Sequence, residues 1–478
     1  MSPGVSAYRP AWRLAALLLA VIACVRACIL VLHSPMLALA NSYDQVRYTA
    51  CIDVAPLRPG VPADASNPQA PLRVYAFTHF SFASCYWTSD LLLTAPVALG
   101  WKLVEHLGGD SAHSIRTLGL LRVAVWCALG WWLTRALCRA NLHTAALVNG
   151  LWLAAVAADP ANTLYLNTFY AEPAALIGLY ASIGGATLLT AEHSRQAVAM
   201  TLLGACVLAL SKFQHVALPA LLGIGLLFAC GRSARLTATL LLAGTLVGGL
   251  AATANRHFAQ ETMHGIASAN RADFVLSALL MNVDDPTATA ARLGLPADCA
   301  RHANVDGLFV LPEPYEKICS GIDKISTPQT WLALLGEPVA FARTLLHTPA
   351  LTLPWLPDYL GIVEGMDHGK LPPAQWSLAT AFGSSTVIAW VLLLAPWIVL
   401  FAAWRARRPA RAYAALCATA SAAIVAIALF GEGYVDLAKH VELAFDAVLA
   451  SLCLPCVGWL RREQTAGSAG LADPDHSA

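Results

Sequence analysis

The stretch Asn41-Ser42-Tyr43-Asp44-Gln45-Val46-Arg47-Tyr48 puts a lone acidic group directly after the first apolar run. A carboxylate at a membrane surface can take the proton of a sugar hydroxyl as that hydroxyl attacks an activated sugar. Tyr43 and Arg47 are spaced to hold the incoming molecule, and Arg47 to keep Asp44 ionised at neutral pH. The competing reading is a hydrated turn, for which Asn-Ser-Tyr-Asp is ordinary composition.

A second acid, Glu172, stands in Asn167-Thr168-Phe169-Tyr170-Ala171-Glu172-Pro173. Proline suits a first helical turn and an acid there complements the helix dipole, which is reason enough for Glu172 to exist. The same position also lets it serve as a second catalytic acid or as an acceptor for substrate hydroxyls. Both readings stay open.

Basic residues interrupt apolar runs at two more places, Ser211-Lys212-Phe213-Gln214-His215 and Asp436-Leu437-Ala438-Lys439-His440. Lysine binds phosphate as a point charge and histidine can assist, so Lys212, His215, Lys439 and His440 are candidates for an anion-binding collar. Long basic side chains also anchor helices at the lipid interface without further role. Arg26 and Arg122 fall inside apolar runs, where a charge lines a cavity, pairs internally or snorkels. Arg122 is counted with the phosphate-binding set.

Several chemistries have no signature here. There is no P-loop, no HExxH, no GxSxG, and no Cys or His set with zinc spacing. No cofactor and no metal is expected, so an activated substrate or a gradient must supply the driving force.

The elements that position these residues follow from composition. The 478 residues are 58% hydrophobic and 12% charged, with mean hydropathy +0.59. Soluble domains carry about 25% charged residues. The chain therefore reads as an all-α polytopic membrane protein. The net charge of +1, with no basic cluster interleaved with aromatics, gives no reason to expect nucleic acid. Runs of about 20 apolar residues mark membrane spans. Ten are expected, at 13–32, 114–137, 143–158, 173–190, 196–210, 216–230, 236–254, 384–403, 411–430 and 441–460.

Arginines mark every second connection, from Arg9 and Arg13 through Arg135, Arg139, Arg195, Arg232, Arg235 and the Arg405–Arg411 group to Arg461 and Arg462. By the positive-inside rule both termini are then cytoplasmic, and all six lysines lie outside. Two long exterior segments result, 33–113 and 255–383, inside a single membrane-embedded domain 1–462 followed by a disordered tail 463–478. Each exterior segment carries amphipathic stretches, Leu91–Leu107 and Gln329–His347, that suit helices lying in the interface. Ala38-Leu39-Ala40 resembles a signal-peptidase site, but Arg26 breaks the run, and an uncleaved anchor is expected.

Of thirteen cysteines, nine lie in or beside spans and are read as packing residues. The other four fall two to each exterior segment, which suggests disulfides Cys51–Cys85 and Cys299–Cys319.

The layout resembles the GT-C glycosyltransferases, multi-span enzymes that use polyprenyl-phosphate-linked sugars. It is similar, more narrowly, to bacterial hexosyltransferases of surface-glycan assembly. The Asp44 stretch, Phe169-Tyr170-Ala171-Glu172-Pro173 and Asp436-Leu437-Ala438-Lys439-His440 carry the resemblance. It implies that Asp44 is the first-loop catalytic acid. Many relatives have two adjacent acids where this chain has Asp44-Gln45, and the oligosaccharyltransferase motif WWDxG is lacking.

The expected function is transfer of a sugar from a polyprenyl-phosphate donor to a glycan, lipid or protein acceptor. It would take place at the outer face of a bacterial inner membrane, among membrane lipids. Two alternatives remain. A glycan ligase or polymerase would carry more clustered arginines than 255–383 holds. A transporter or flippase of lipid-linked glycans would show related halves, and no convincing repeat is visible.

Overall fold

A computed structural model describes residues 4–40, 45–57, 70–78, 85–356, 360–366 and 370–458, with side chains from residue 11 onward. Its longer helices are α1 (Gly4–Leu32), α2 (Leu91–His106), α3 (Arg116–Arg139), α4 (His143–Trp152), α5 (Glu172–Ala191), α6 (Arg195–Ser211), α7 (Leu218–Cys230) and α8 (Arg235–Phe258). They continue with α9 (Gln260–Asp273), α10 (Pro338–His347), α11 (Thr386–Ala403), α12 (Arg408–Glu432) and α13 (Glu442–Cys456). Among the described residues six stretches are long and apolar enough to cross a membrane, one of them, Phe213–Phe258, holding both α7 and α8. His143–Ala157 and Arg195–Ser211 are shorter apolar helices. A helix lies on each of the ten expected spans, but length and composition qualify only those six stretches.

Helix α5 is the axis of the bundle. It is apolar all round and buried from Glu172 to Thr190, as a helix surrounded by others must be. It packs on α6, α12, α3 and α8. Around it, α1, α3 and α4 form one group, α6, α7 and α8 a second, and α11, α12 and α13 a third. Arg408 donates to the Ser233 carbonyl, so the α7–α8 and α11–α12 turns share one end of the bundle. That is the end to which the arginine pattern assigns the cytoplasm.

The all-α expectation needs one correction. A three-stranded antiparallel sheet, β1 (Val54–Pro56), β2 (Val74–Phe77) and β3 (His113–Ser114), lies between α1 and α3. Val54 pairs with Phe77 and Tyr75 with His113. Strands of two to four residues are too short to show a periodic pattern in sequence.

Helix α2 lies where the first interfacial helix is expected. Leu92, Leu99, Leu103 and Leu107 are exposed, while Trp101 is buried and stacks on His113 at 5.0 Å. Between α9 and α11, the helix Thr327–Leu335 and α10 present Trp331, Leu332, Leu335, Val339 and Leu346 outward. Both faces suit lipid headgroup contact. The tail 463–478 lies outside the described residues.

The structure joins Cys51 to Cys85 and Cys299 to Cys319, with Cα atoms 4.7 and 4.8 Å apart. A third bridge, Cys24–Cys127, links α1 to α3. These two cysteines are therefore not merely packing residues. The rotation of one span against another brings them together, and sequence spacing does not reveal it.

Candidate functional site

The site is set by the α5–α6 hairpin. Ser194 caps α6, its hydroxyl accepting from the Ala197 N–H at 3.2 Å, and the turn before it is short. Running back along α5 and forward along α6 covers similar lengths at about 1.5 Å per residue. Glu172 at the start of α5 and Lys212 just past α6 thus reach the same height.

Glycines keep the two helices in contact along the way. A Cβ on Gly178 would lie 2.5 Å from the Leu208 backbone nitrogen, and one on Gly204 would lie 2.6 Å from that of Ser182. Small residues permit this approach, as at other membrane helix contacts. The outcome is an ion pair, Lys212 Nζ to Glu172 Oε1 at 2.5 Å, with both side chains largely buried. The second oxygen, Oε2 of Glu172, has no hydrogen-bond partner among the described residues.

Lys212 is extended and ends α6. Behind it, His215 Nδ1 lies 2.9 Å from the Ser211 hydroxyl. The Phe213 N–H donates to the Tyr86 hydroxyl at 2.6 Å, which fastens this turn to the segment between α1 and α3. Segment 85–90 straps the bundle further, with Ser89 bonded to Leu210 and Val207 carbonyls and Asn255 making two 2.9 Å bonds to the Trp87 backbone. Arg47, in the helix Gln45–Thr49, exerts its charge on Tyr86. It is therefore near the Lys212 turn.

A second turn meets the first. Gly433 (φ 76°) ends α12, and Asp436 (φ 49°) adopts the left-handed region. The Tyr434 N–H donates to Ser277 Oγ at 2.8 Å. A Cβ on Gly433 would lie 2.4 Å from that oxygen, so glycine is required there for both conformation and space. The turn carries Lys439, whose Nζ is 3.8 Å from Asp436 Oδ2 and 5.3 Å from the Tyr170 ring centre. His440 Nε2 lies 2.6 Å from Glu432 Oε2. Burial, with the nearby charges of Lys212 and His440, pushes His215 down to about 3, so it sits among them as a neutral imidazole. Lys212, His215, Lys439 and His440 thus gather from turns far apart in sequence.

Arg122 does not join them. Its guanidinium is fully buried and donates to Asp90 Oδ2 at 2.5 Å. It also donates to the carbonyls of Tyr165, Leu166, Thr168 and Tyr170 at 3.2, 2.9, 2.5 and 3.3 Å. Both terminal nitrogens are consumed in folding the 165–170 loop. The phosphate role expected for Arg122 is corrected to a structural one. Burial pushes the Asp90 carboxyl up, and Arg122 opposes this. Arg26 likewise pairs internally, bonding the Trp376 carbonyl at 2.6 Å with Asp159 at 3.9 Å.

The expected base Asp44 and its neighbour Tyr43 lie outside the described residues. Their flanks are well held. The Ala40 carbonyl accepts from the Tyr170 hydroxyl at 3.2 Å, and Gln45 Oε1 accepts from Tyr75 at 2.9 Å. Among the described residues no three or more His, Cys, Asp or Glu side chains are grouped to hold a metal ion.

Sequence reading missed Glu442 and Tyr165. Glu442 opens α13 and is 3% exposed, within electrostatic reach of Glu172, Lys212 and Asp446, with its carboxyl facing the Tyr165 hydroxyl. In sequence it looks like any acid complementing a helix dipole, and only burial separates the two cases.

Asp273 at the end of α9 stands behind the second turn. Its Oδ1 accepts from the Leu308 N–H at 2.9 Å. Burial, with the charges of Glu432 and Asp436, pushes its carboxyl up to about 8 against that hydrogen bond.

The arrangement offers cations for an anion and, beside them, buried carboxylates for hydroxyl donors. No curated protein and no solved structure matches the chain. Residues 8–304, more than half of the chain, match the family described as the YfdI N-terminal transmembrane domain. The chain is a helical multi-pass membrane protein and belongs to that family.

Proposed function

We propose that the chain is a glycosyltransferase that moves a sugar from a polyprenyl-phosphate donor to a glycan, lipid or protein acceptor. The observation that carries this is the gathering of Lys212, His215, Lys439 and His440 beside the buried Glu172 at one end of an apolar bundle. A phosphate on a lipid tail needs cations at a membrane boundary, and the bundle offers them there. Membership of a transmembrane-domain family supports the lipid-linked donor, and the GT-C resemblance of the three short motifs supports the reaction.

In this reading Lys212 and Lys439 hold the donor phosphate, with His440 assisting and His215 contributing as a neutral imidazole. Asp44 takes the proton of the acceptor hydroxyl as its oxygen bonds to the anomeric carbon. The bond from that carbon to the phosphate oxygen breaks, and polyprenyl phosphate leaves with the electron pair. Attack from the face opposite the phosphate inverts the sugar carbon. Glu172 orients the sugar or acceptor, Arg47 and Tyr43 position the incoming molecule, and segment 255–383 covers the site and selects the acceptor. The site faces the exterior of a bacterial inner membrane, with both termini cytoplasmic.

The test is consumption of radiolabelled polyprenyl-phosphate sugars in membrane vesicles, with wild type and Asp44→Asn compared at equal membrane-inserted amounts. Consumption by wild type alone supports both the class and its base. Equal rates remove Asp44 from that role.

A further inference from the structure

Among the described residues, three polar atoms in one buried place have no hydrogen-bond partner. They are Oε2 of Glu172, Oε2 of Glu442 and the Tyr165 hydroxyl, on residues 7%, 3% and 2% exposed. The Tyr165 hydroxyl faces the Glu442 carboxyl but makes no well-formed bond to it. An unsatisfied buried polar atom costs about 1–3 kcal/mol, more when charged. Folding alone gives no reason to collect three of them. Two segments bring them together, the 165–172 loop that Arg122 shapes and the first turn of α13.

The atoms have a common chemistry. Carboxylate oxygens accept hydrogen bonds, and a phenol both accepts and donates. Their natural complement is a ligand rich in hydroxyl groups. They also adjoin the cations. Glu172 bonds Lys212 directly, and Glu442 lies within electrostatic reach of both. In a sugar 1-phosphate the ring hydroxyls follow immediately on the carbon that bears the phosphate.

From this geometry we infer that Glu442, Tyr165 and Glu172 form a subsite for the ring hydroxyls of a neutral sugar, next to the phosphate held by Lys212 and Lys439. The inference rests on the donor reading above and adds the class of sugar. Asp446 adds a further acid beside Glu442. A ring bearing its own carboxylate would have to bury that charge among acids rather than cations, and is disfavoured. Glu442 and Tyr165 are then specificity-determining residues, with no part in proton transfer from the acceptor.

The experiment measures binding to the full chain in lipid nanodiscs, using three probes: polyprenyl phosphate, its hexose-bearing form and its hexuronate-bearing form. Wild type should prefer the hexose form over bare polyprenyl phosphate by about tenfold or more, as expected of two or three hydrogen bonds to buried polar groups. The hexuronate form should gain nothing over the bare phosphate. Glu442→Gln and Tyr165→Phe should each shrink the hexose preference while leaving bare polyprenyl phosphate affinity at the wild-type value. A merely structural role would weaken both ligands together.

A hexose preference unchanged in Glu442→Gln, or lost equally for both ligands, overturns the subsite. So does tight binding of the hexuronate form. Wild type that binds none of the three overturns the donor reading, and the subsite falls with it.

Discussion

Lys212 meets Glu172 across the open end of the α5–α6 hairpin, nitrogen to oxygen at 2.5 Å, with the side chains 13% and 8% exposed. Neither residue reaches water freely, so each is the other's main neutralising charge. Removing one partner of such a pair leaves a buried uncompensated charge, whereas removing both is far cheaper.

That asymmetry separates stability from function. Lys212→Met alone should cost about 3–5 kcal/mol of stability and abolish most donor consumption. The double variant Lys212→Met with Glu172→Gln should regain much of the lost melting temperature in detergent. It should not regain donor consumption, because the phosphate-binding cation is still missing. Recovery of both together would make the pair purely structural.

Arg122 offers the contrasting case. Its terminal nitrogens are shared among Asp90 and four carbonyls of the 165–170 loop. Lysine keeps the charge but cannot reproduce this fan of donors. Arg122→Lys should lower the melting temperature clearly. The KM for donor in the protein that stays folded should remain near wild type. A KM raised tenfold without loss of stability would return Arg122 to the phosphate site.

The glycine seam between α5 and α6 makes a third expectation. Valine at Gly178 or Gly204 would press a Cβ against backbone atoms at 2.5 or 2.6 Å. Backbone cannot step aside, so the helices must separate, at about 1–3 kcal/mol or more. Separation also misaligns Lys212 and Glu172, so activity should fall further than stability explains. Gly249→Ala in α8, which meets nothing within 4 Å, is the control and should be silent in both melting and donor assays.

The sequence made some of this legible and hid the rest for physical reasons. Apolar run length locates helices wherever a span is long, and α3, α5, α11 and α12 lie close to their expected bounds. Glu172 and Lys212 stand out individually, because charge beside an apolar run is rare. Their pairing does not, since it depends on glycine contacts that set how two helices meet. Arg122 is visible as a buried charge, but its commitment depends on Asp90 and on carbonyls, which no side-chain pattern records. Glu442 is concealed by a second sufficient reason for its presence at a helix start. Cys24 and Cys127 are concealed by the apolar runs that contain them.

Asp273 predicts how stability responds to pH. Its carboxyl is buried against the second turn, accepts from Leu308 and faces Glu432 and Asp436, so it stays protonated up to about 8 in the folded protein. In the unfolded chain the same group ionises near the usual carboxylate value of about 3.9. The folded state therefore holds this proton over a range in which the unfolded state has released it. Linkage fixes the sign: the contribution is complete below the unfolded value, declines as pH rises towards 8, and does not return above it. Melting temperature in detergent should fall between pH 5 and pH 8.5 in wild type, values chosen as about one unit inside and half a unit beyond that window. Asp273→Asn keeps an acceptor for the Leu308 N–H and cannot ionise, so its profile should be flatter and cross that of wild type at the alkaline end. Parallel profiles for the two proteins would show that Asp273 is already ionised when folded.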